Sequence, residues 1–275
     1  MEITSSVSLP DKNHPNYKRW KKGRELAVER GKFASAIINK FTATSGLSIL
    51  DLGSGEGGTS SVFSENNFVV SADYSIIRLT RQHQTFKDSK FKRVNCNGNN
   101  LPFADGSFNL IILQDVIEHI EDTNSFLNEV YRVLKYNGII YISTPNRFSV
   151  LNILSDPHWG LPLLALLSRS GIRRYYLKHF RKSEVNRVDL AQLYSLRQLY
   201  NLLNSKFDIQ INTKYSVHEL LKGNNGIVWS DFHLELIKAI NFFRLSKMLL
   251  LIANDRRGFI NNYFTPTFYL LLKRK

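Results

Sequence analysis

The residues of this sequence that could do chemistry fall at the ends of apolar runs. Ile49-Leu50-Asp51-Leu52 is one such run, followed by Gly53, Ser54, Gly55, Glu56, Gly57 and Gly58. A strand that breaks into a turn with glycines at alternating positions, ahead of a helix, lets a ligand approach bare backbone. The spacing is Asp-x-Gly-x-Gly-x-Gly. It is not the Gly-x-Gly-x-x-Gly pyrophosphate fingerprint, and no Gly-Lys-Ser/Thr follows, so it is not a phosphate loop. A second apolar run, Phe68-Val69-Val70-Ser71-Ala72, ends in Asp73. In a doubly wound sheet an acid at the end of the second strand can accept hydrogen bonds from both ribose hydroxyls. Tyr74 beside it can lie against a base or be an ordinary half-buried aromatic at a strand end. Two histidines could move protons. His119 follows Glu118 after a later apolar run, and His158 stands behind Asp156-Pro157. An imidazole titrates near neutral pH and could take the proton of a hydroxyl; either ring could equally be a structural hydrogen-bonding group.

The elements that must position these groups alternate along the chain. Candidate strands are 47–52, 68–72, 91–95, 109–113 and 138–144, and candidate helices are 24–41, 56–65, 75–86 and 123–135. Such alternation predicts a parallel sheet with helices on both faces. In such sheets the ligand lies beyond the carboxyl ends of the strands, where Asp51, Asp73 and Asp115 fall. Residues 147–190 leave this repeat. Residues 192–204 read as a helix, Phe207–Tyr215 and Thr265–Leu272 as strands, and Phe232–Ala253 as one helix that either caps the core or lies on a membrane surface.

The glycine turn resembles motif I of the class I S-adenosylmethionine (SAM) methyltransferases, in which it holds the methionine end of the cofactor. Further motifs follow in order: Leu101-Pro102-Phe103 with Asp105-Gly106-Ser107-Phe108, Gln114-Asp115-Val116-Ile117-Glu118-His119, Glu129-Val130-Tyr131-Arg132-Val133-Leu134, and Ser143-Thr144-Pro145-Asn146. Together they are similar to the type 11 (UbiE/UbiG-like) subfamily. The resemblance implies an α/β fold: a doubly wound, seven-stranded, mostly parallel Rossmann-like sheet, its last strand antiparallel, with helical insertions after strands 5 and 6. It implies SAM as cofactor and S-adenosylhomocysteine as product. It also implies cofactor-binding roles for Asp51, Gly53, Ser54, Gly55, Gly57, Asp73, Tyr74, Asn97, Gly98 and Gln114. His119 would lie near the transferred methyl, and residues 1–46 would form an arm and lid helix, on which His14 and Tyr17 either face the site or are ordinary surface residues. Residues 47–146 would be the SAM-binding core, and residues 147–275 the acceptor-side insertions and last strands of the same domain. There are departures. The family usually has an acid where Asn97 stands; an amide oxygen can accept the same hydrogen bond from the adenine amino group. It also prefers Asp at Asn109 and Pro-Gly at Tyr136-Asn137.

Charge points to the acceptor. The net charge is +14, and residues 145–275 carry 20 Lys/Arg against 8 Asp/Glu. That asymmetry suits an anionic glycan, a lipid-linked sugar or a related lipid, with peripheral membrane contact, or nucleic acid. The Glu118-His119 pair resembles the quinone-biosynthesis O-methyltransferases, and the Asp156-Pro157-His158-Trp159-Gly160-Leu161-Pro162 segment resembles type 11 enzymes of surface-glycan and lipid-linked sugar modification. Both favour O-methylation of a membrane-proximal acceptor. An RNA methyltransferase is the alternative, although Gln114-Asp115-Val116-Ile117 replaces the Asn/Asp-Pro-Pro-Tyr/Phe motif of base-amino enzymes. A non-catalytic SAM-binding scaffold is a further one. The single cysteine, Cys96, fits a reducing, cytoplasmic setting. No Cys/His cluster has zinc spacing, so no metal is expected. The longest apolar stretches are far shorter than the ~20 residues that span a bilayer.

Overall fold

A computed structural model of the chain describes residues 17–186, 190–224 and 231–275. Seven strands form one sheet: β1 (Ser48–Leu52), β2 (Phe68–Asp73), β3 (Lys92–Asn95), β4 (Phe108–Gln114), β5 (Leu134–Pro145), β6 (Phe207–Ile211) and β7 (Thr267–Arg274). Their order is β3-β2-β1-β4-β5-β7-β6. β1 pairs parallel to both β2 and β4, while β7 pairs antiparallel to both β5 and β6. The central strands are apolar on both faces because helices cover both. Ile49, Leu50, Ile111, Ile112, Ile140 and Tyr141 are fully buried. One core layer gathers Phe126, Leu199, Phe207 and Phe268; the opposite layer gathers Phe33, Ile37, Phe63 and Phe91.

The helices that matter for the site are α1 (Tyr17–Glu25), α2 (Ala27–Ile38), α3 (Gly58–Phe63), α4 (Ile76–Thr85) and α5 (Thr123–Val133). The helix expected over 24–41 is therefore two, parted at Leu26, which leaves the helical region at φ −92°, ψ 1°. α2 crosses the start of α3 backbone to backbone. A Cβ on Gly58 would sit 2.3 Å from the Ala27 carbonyl carbon, and one on Gly31 would sit 2.7 Å from the Thr59 Cα. Only glycine allows that approach, and it carries Arg30 over the carboxyl ends of the strands.

Three further expectations are corrected. The sixth strand stops at Ile211, and the chain turns into a helix over Thr213–Leu221. The helix expected over Phe232–Ala253 is two, Asp231–Phe242 and Ser246–Ile252, broken where Arg244 takes a left-handed φ of 55°. Nor do these helices cap the core along their length: Ile237 and Ala253 are buried, but Phe242, Phe243, Met248 and Leu251 are exposed. His14 and the rest of residues 1–16 lie outside the described residues.

Asn146, directly after β5, ties the two insertions together. Its Nδ2 donates to the carbonyls of Asn261, Asn262 and Thr265 at 2.8–3.2 Å. Asn152 Nδ2, from the first insertion, donates to the carbonyls of Asn146 and Pro266. Among the described residues no helix is long and apolar enough to cross a membrane.

Candidate active site

The glycine turn after β1 is held from three sides. Gly53 and Ser54 donate their backbone N–H groups to the Ala72 carbonyl at 2.8 and 3.1 Å, and the Gly55 N–H donates to Asp73 Oδ2 at 2.9 Å. Asp73 Oδ1 accepts from the Ser75 N–H at 2.8 Å. The carboxylate is 4 % exposed, and each oxygen keeps a lone pair free of these bonds. Gly53, Gly55 and Gly57 all have left-handed φ values, +74°, +54° and +79°. At Gly53 a Cβ would strike Val116, and at Gly57 it would strike Gln82; at Gly55 the nearest atom would be 4.0 Å away. Gly55 thus presents bare backbone to open space beside Asp73, the shape a ligand cradle requires.

Gln82, fully buried on α4, is the third support and went unremarked in the sequence. Its Nε2 donates to Ser54 Oγ and the Gly55 carbonyl, at 3.0 and 2.8 Å, while its Oε1 accepts from Ser71 Oγ. A signal existed: Leu79 and Gln82 share the buried face of an amphipathic helix, and a polar group there must find partners. Glu56, at the apex of the turn, receives Arg24 of α1 at 3.2 Å and Arg81 of α4 at 2.8 Å.

Asp51 lies beneath the turn, 2 % exposed, and its Oδ2 accepts from Ser60 Oγ at 2.6 Å. Burial, aided by the nearby Asp73 charge, lifts its carboxyl to about 6. Tyr74 is exposed at the end of β2. Asn97 is exposed, and its Oδ1 accepts from the Asn99 N–H at 3.0 Å, which makes a local turn. Gly98 rests on Phe126, whose ring a Cβ would meet at 2.6 Å. Gln114 does not stand free at the end of β4: its Oε1 accepts from Thr59 Oγ1 at 2.6 Å and its Nε2 donates to the Arg30 carbonyl. It locks α2 and α3 to the sheet.

Beyond β4 the chain makes a short 3-10 turn, Ile117–His119, entered through Asp115 with a left-handed φ of 55°. Arg30 pairs with the Asp115 carboxylate. Glu118 is fully buried; its Oε2 accepts from Thr144 Oγ1 at 3.0 Å, and its Oε1 has no hydrogen-bond partner among the described residues. Burial, and then the neighbouring Asp115 charge, push the Glu118 carboxyl well above its usual range. His158 Nε2 lies 3.9 Å from Glu118 Oε1, and the rings of His119 and His158 meet edge to face with centroids 5.1 Å apart.

The two histidines proposed separately from the sequence therefore share one site. What seats His158 is Asp156, 3 % exposed, whose Oδ1 accepts from the backbone N–H groups of His158 and Trp159 at 2.8 and 2.9 Å. Arg169, also missed in the sequence, donates to the carbonyls of Glu118 and Ile120 and fastens the insertion to this turn. Ligand atoms of Glu118, His119 and His158 all lie within 4.8 Å of one another, close enough to hold one metal ion. Their spacing along the chain gave no hint of that, because His158 arrives from an insertion.

Residues 50–142 match the methyltransferase domain family of type 11. A Mycobacterium tuberculosis protein described as a probable S-adenosylmethionine-dependent methyltransferase is 27 % identical over 150 residues, 54 % of this chain and 50 % of that protein. The ubiquinone/menaquinone biosynthesis C-methyltransferase UbiE of Desulfotalea psychrophila is 28 % identical over 123 residues, 42 % of this chain and 50 % of its own. The chain thus spans about half the length of the curated relatives it matches. Among solved structures, an S-adenosylmethionine dependent methyltransferase from Mesorhizobium loti superposes with a TM-score of 0.54 over 88 % of this chain and 96 % of its own, at 17 % identity. That likeness concerns the fold.

Proposed function

Because residues 50–142 match the type 11 methyltransferase domain family, we propose that the protein transfers a methyl group from SAM to an oxygen of an anionic acceptor. The observation that carries this reading is the bare, left-handed Gly55 beside the Asp73 carboxylate, at the same sheet edge as the Glu118-His119 turn. Asp73 would accept the ribose hydroxyls, the Gly53–Gly57 turn would receive the methionine end, and Tyr74, Asn97 and Gly98 would border the adenine. SAM, when bound, supplies an activated methyl on a sulfonium that departs as a neutral thioether.

The protein's own task is then to align the acceptor, exclude water and take up a proton. His119 is suited to receive the acceptor hydroxyl proton. Glu118 and His158 would orient and buffer that imidazole. The excess of basic residues after position 145 suits an acceptor bearing phosphate or carboxylate groups, such as a glycan, a lipid-linked sugar or a related lipid. The names of the relatives include C-methylation of quinones, so the methylated atom is the finer part of this proposal. A second reading uses the same three side chains as ligands of a divalent cation that would hold and acidify the acceptor oxygen. Glu118 Oε1, buried and without a hydrogen bond among the described residues, favours it. Turnover abolished by a chelator and restored by zinc or manganese would select this reading over the proton-transfer one.

Calorimetry with S-adenosylhomocysteine tests the cofactor site. We expect micromolar binding by the wild type. Asp73→Ala should weaken it by roughly 1.5–3 kcal/mol, the worth of hydrogen bonds to a charged group. Near-normal affinity in the variant would mean that the ribose is held elsewhere and would remove the main support of the assignment.

A further inference from the structure

The second insertion ends in a surface unlike the rest of the molecule. Between Asn241 and Phe264, Phe242, Phe243, Met248, Leu251, Phe259 and Phe264 are all exposed; Phe242 and Leu251 are bared to 81 % and 86 %. Exposed aromatic and aliphatic side chains gathered in one short stretch mark a surface that meets something. They are not signs of a loose segment. Asn261, fully buried, donates to the carbonyls of Asn254 and Arg256 and accepts from Thr213 and Thr265, and Asn146 of the sheet holds its carbonyl. Phe259 and Phe264, and the turn that follows Leu251, therefore stand on a braced base.

Charge says what the surface meets. The same stretch carries Arg244, Lys247, Arg256 and Arg257 against one acid, Asp255. All four basic residues are exposed. Asp255 is engaged by the Lys214 backbone N–H at 2.8 Å. An open concavity of about 620 Å³ lies where the two halves of the stretch join, lined by Lys214, Arg256, Arg257 and Gly258 among others. Apolar side chains that could enter an acyl layer, next to a hollow lined by basic residues, match an anionic membrane surface.

We propose that residues 241–264 dock the protein on an anionic lipid bilayer, with Phe242, Leu251 and Phe259 entering the acyl boundary and Lys214, Arg256 and Arg257 receiving phosphate headgroups. Docking of this kind would bring a membrane-borne acceptor to an enzyme that has no spanning helix among its described residues. It adds to the proposed anionic acceptor but is measured without cofactor or turnover, so either can fail while the other stands.

The test is co-sedimentation of the full chain with phosphatidylcholine vesicles, with and without phosphatidylglycerol. The wild type should bind only the mixed vesicles, and binding should fall as salt rises. Lys214→Glu with Arg256→Glu should lower binding by at least about tenfold, since each basic residue near an anionic surface is worth about 1 kcal/mol. Phe242→Ser with Leu251→Ser should lower it by a similar factor, and the single Leu251→Gln by less; all are surface changes that should leave circular dichroism and melting unaltered. Equal binding to neutral vesicles, or unaltered binding by the variants, would overturn the proposal. So would a lipid-free dimer that Leu251→Gln dissociates, because the face would then be a contact between copies of this chain.

Discussion

The two walls of the proposed site are built by opposite rules. On the proposed cofactor side, Asp73, Gln82, Ser54 and Gly55 all come from the one stretch 54–82 and hydrogen-bond one another. On the proposed acceptor side, Glu118, His119 and His158 come from a strand end and a distant insertion, and a buried carboxyl oxygen has no hydrogen bond among the described residues. A wall whose polar groups satisfy one another is rigid before any ligand arrives. A wall with an uncompensated buried carboxyl holds a group ready for a proton, a cation or a substrate hydroxyl. The first arrangement suits a ligand shared by a whole family, and the second suits the partner that differs between members.

The comparison can be broken in three places. Asp51 is where the cofactor wall still carries an electrostatic cost. Its carboxyl is raised from 3.8 to about 6, so between those pH values the folded chain holds a proton that the unfolded chain has released. The stability it contributes is complete below pH ~4 and is lost as pH rises through about 6, a change of up to about 3 kcal/mol. Urea unfolding of the wild type and Asp51→Asn from pH 4 to pH 7 should show the wild type losing ground by that amount; a constant gap between the two would refute it. His119→Ala probes the other wall. It should lower turnover by about 10²-fold or more with S-adenosylhomocysteine affinity unchanged, and unaltered turnover would take His119 out of the chemistry. Gln82→Ala should have the smallest effect. It leaves Ser71 and the Gly55 carbonyl short of a partner, so cofactor affinity should weaken by roughly 1–2 kcal/mol while turnover at saturation stays near normal. A loss of turnover alone would mean that the two walls are not separable.

The same division decides what could be read from the residues in advance. The sheet was legible because its central strands are apolar runs closed by polar or turn-forming residues, a signal local in sequence. The glycine turn was legible for the same reason, because Asp51, Gly55 and Asp73 stand at or just beyond the ends of two such runs. The failures are non-local. Leu26 and Arg244 part helices whose apolar spacing runs on without interruption, and neither is a residue type that announces a break. His119 and His158 could each be suspected, but their meeting depends on the turn that Asp156 makes and on the bridge from Arg169, which only the folded chain reveals. Gln82 was hidden by its polarity, since a glutamine in a surface helix reads as solvated until its partners are seen.

Asn146 has a consequence for inheritance. One side-chain amide serves carbonyls of the second insertion, while its own backbone carbonyl receives Asn152 of the first. Buried carbonyls stripped of such a donor cost too much to leave unpaired. The two insertions therefore behave as a single cassette. A chimera that exchanges one of them with a relative should misfold locally or lose stability, whereas one that exchanges both with their asparagine should transplant the acceptor preference intact. Changes of acceptor among chains built this way are then expected to come as paired replacements rather than as drift in one loop.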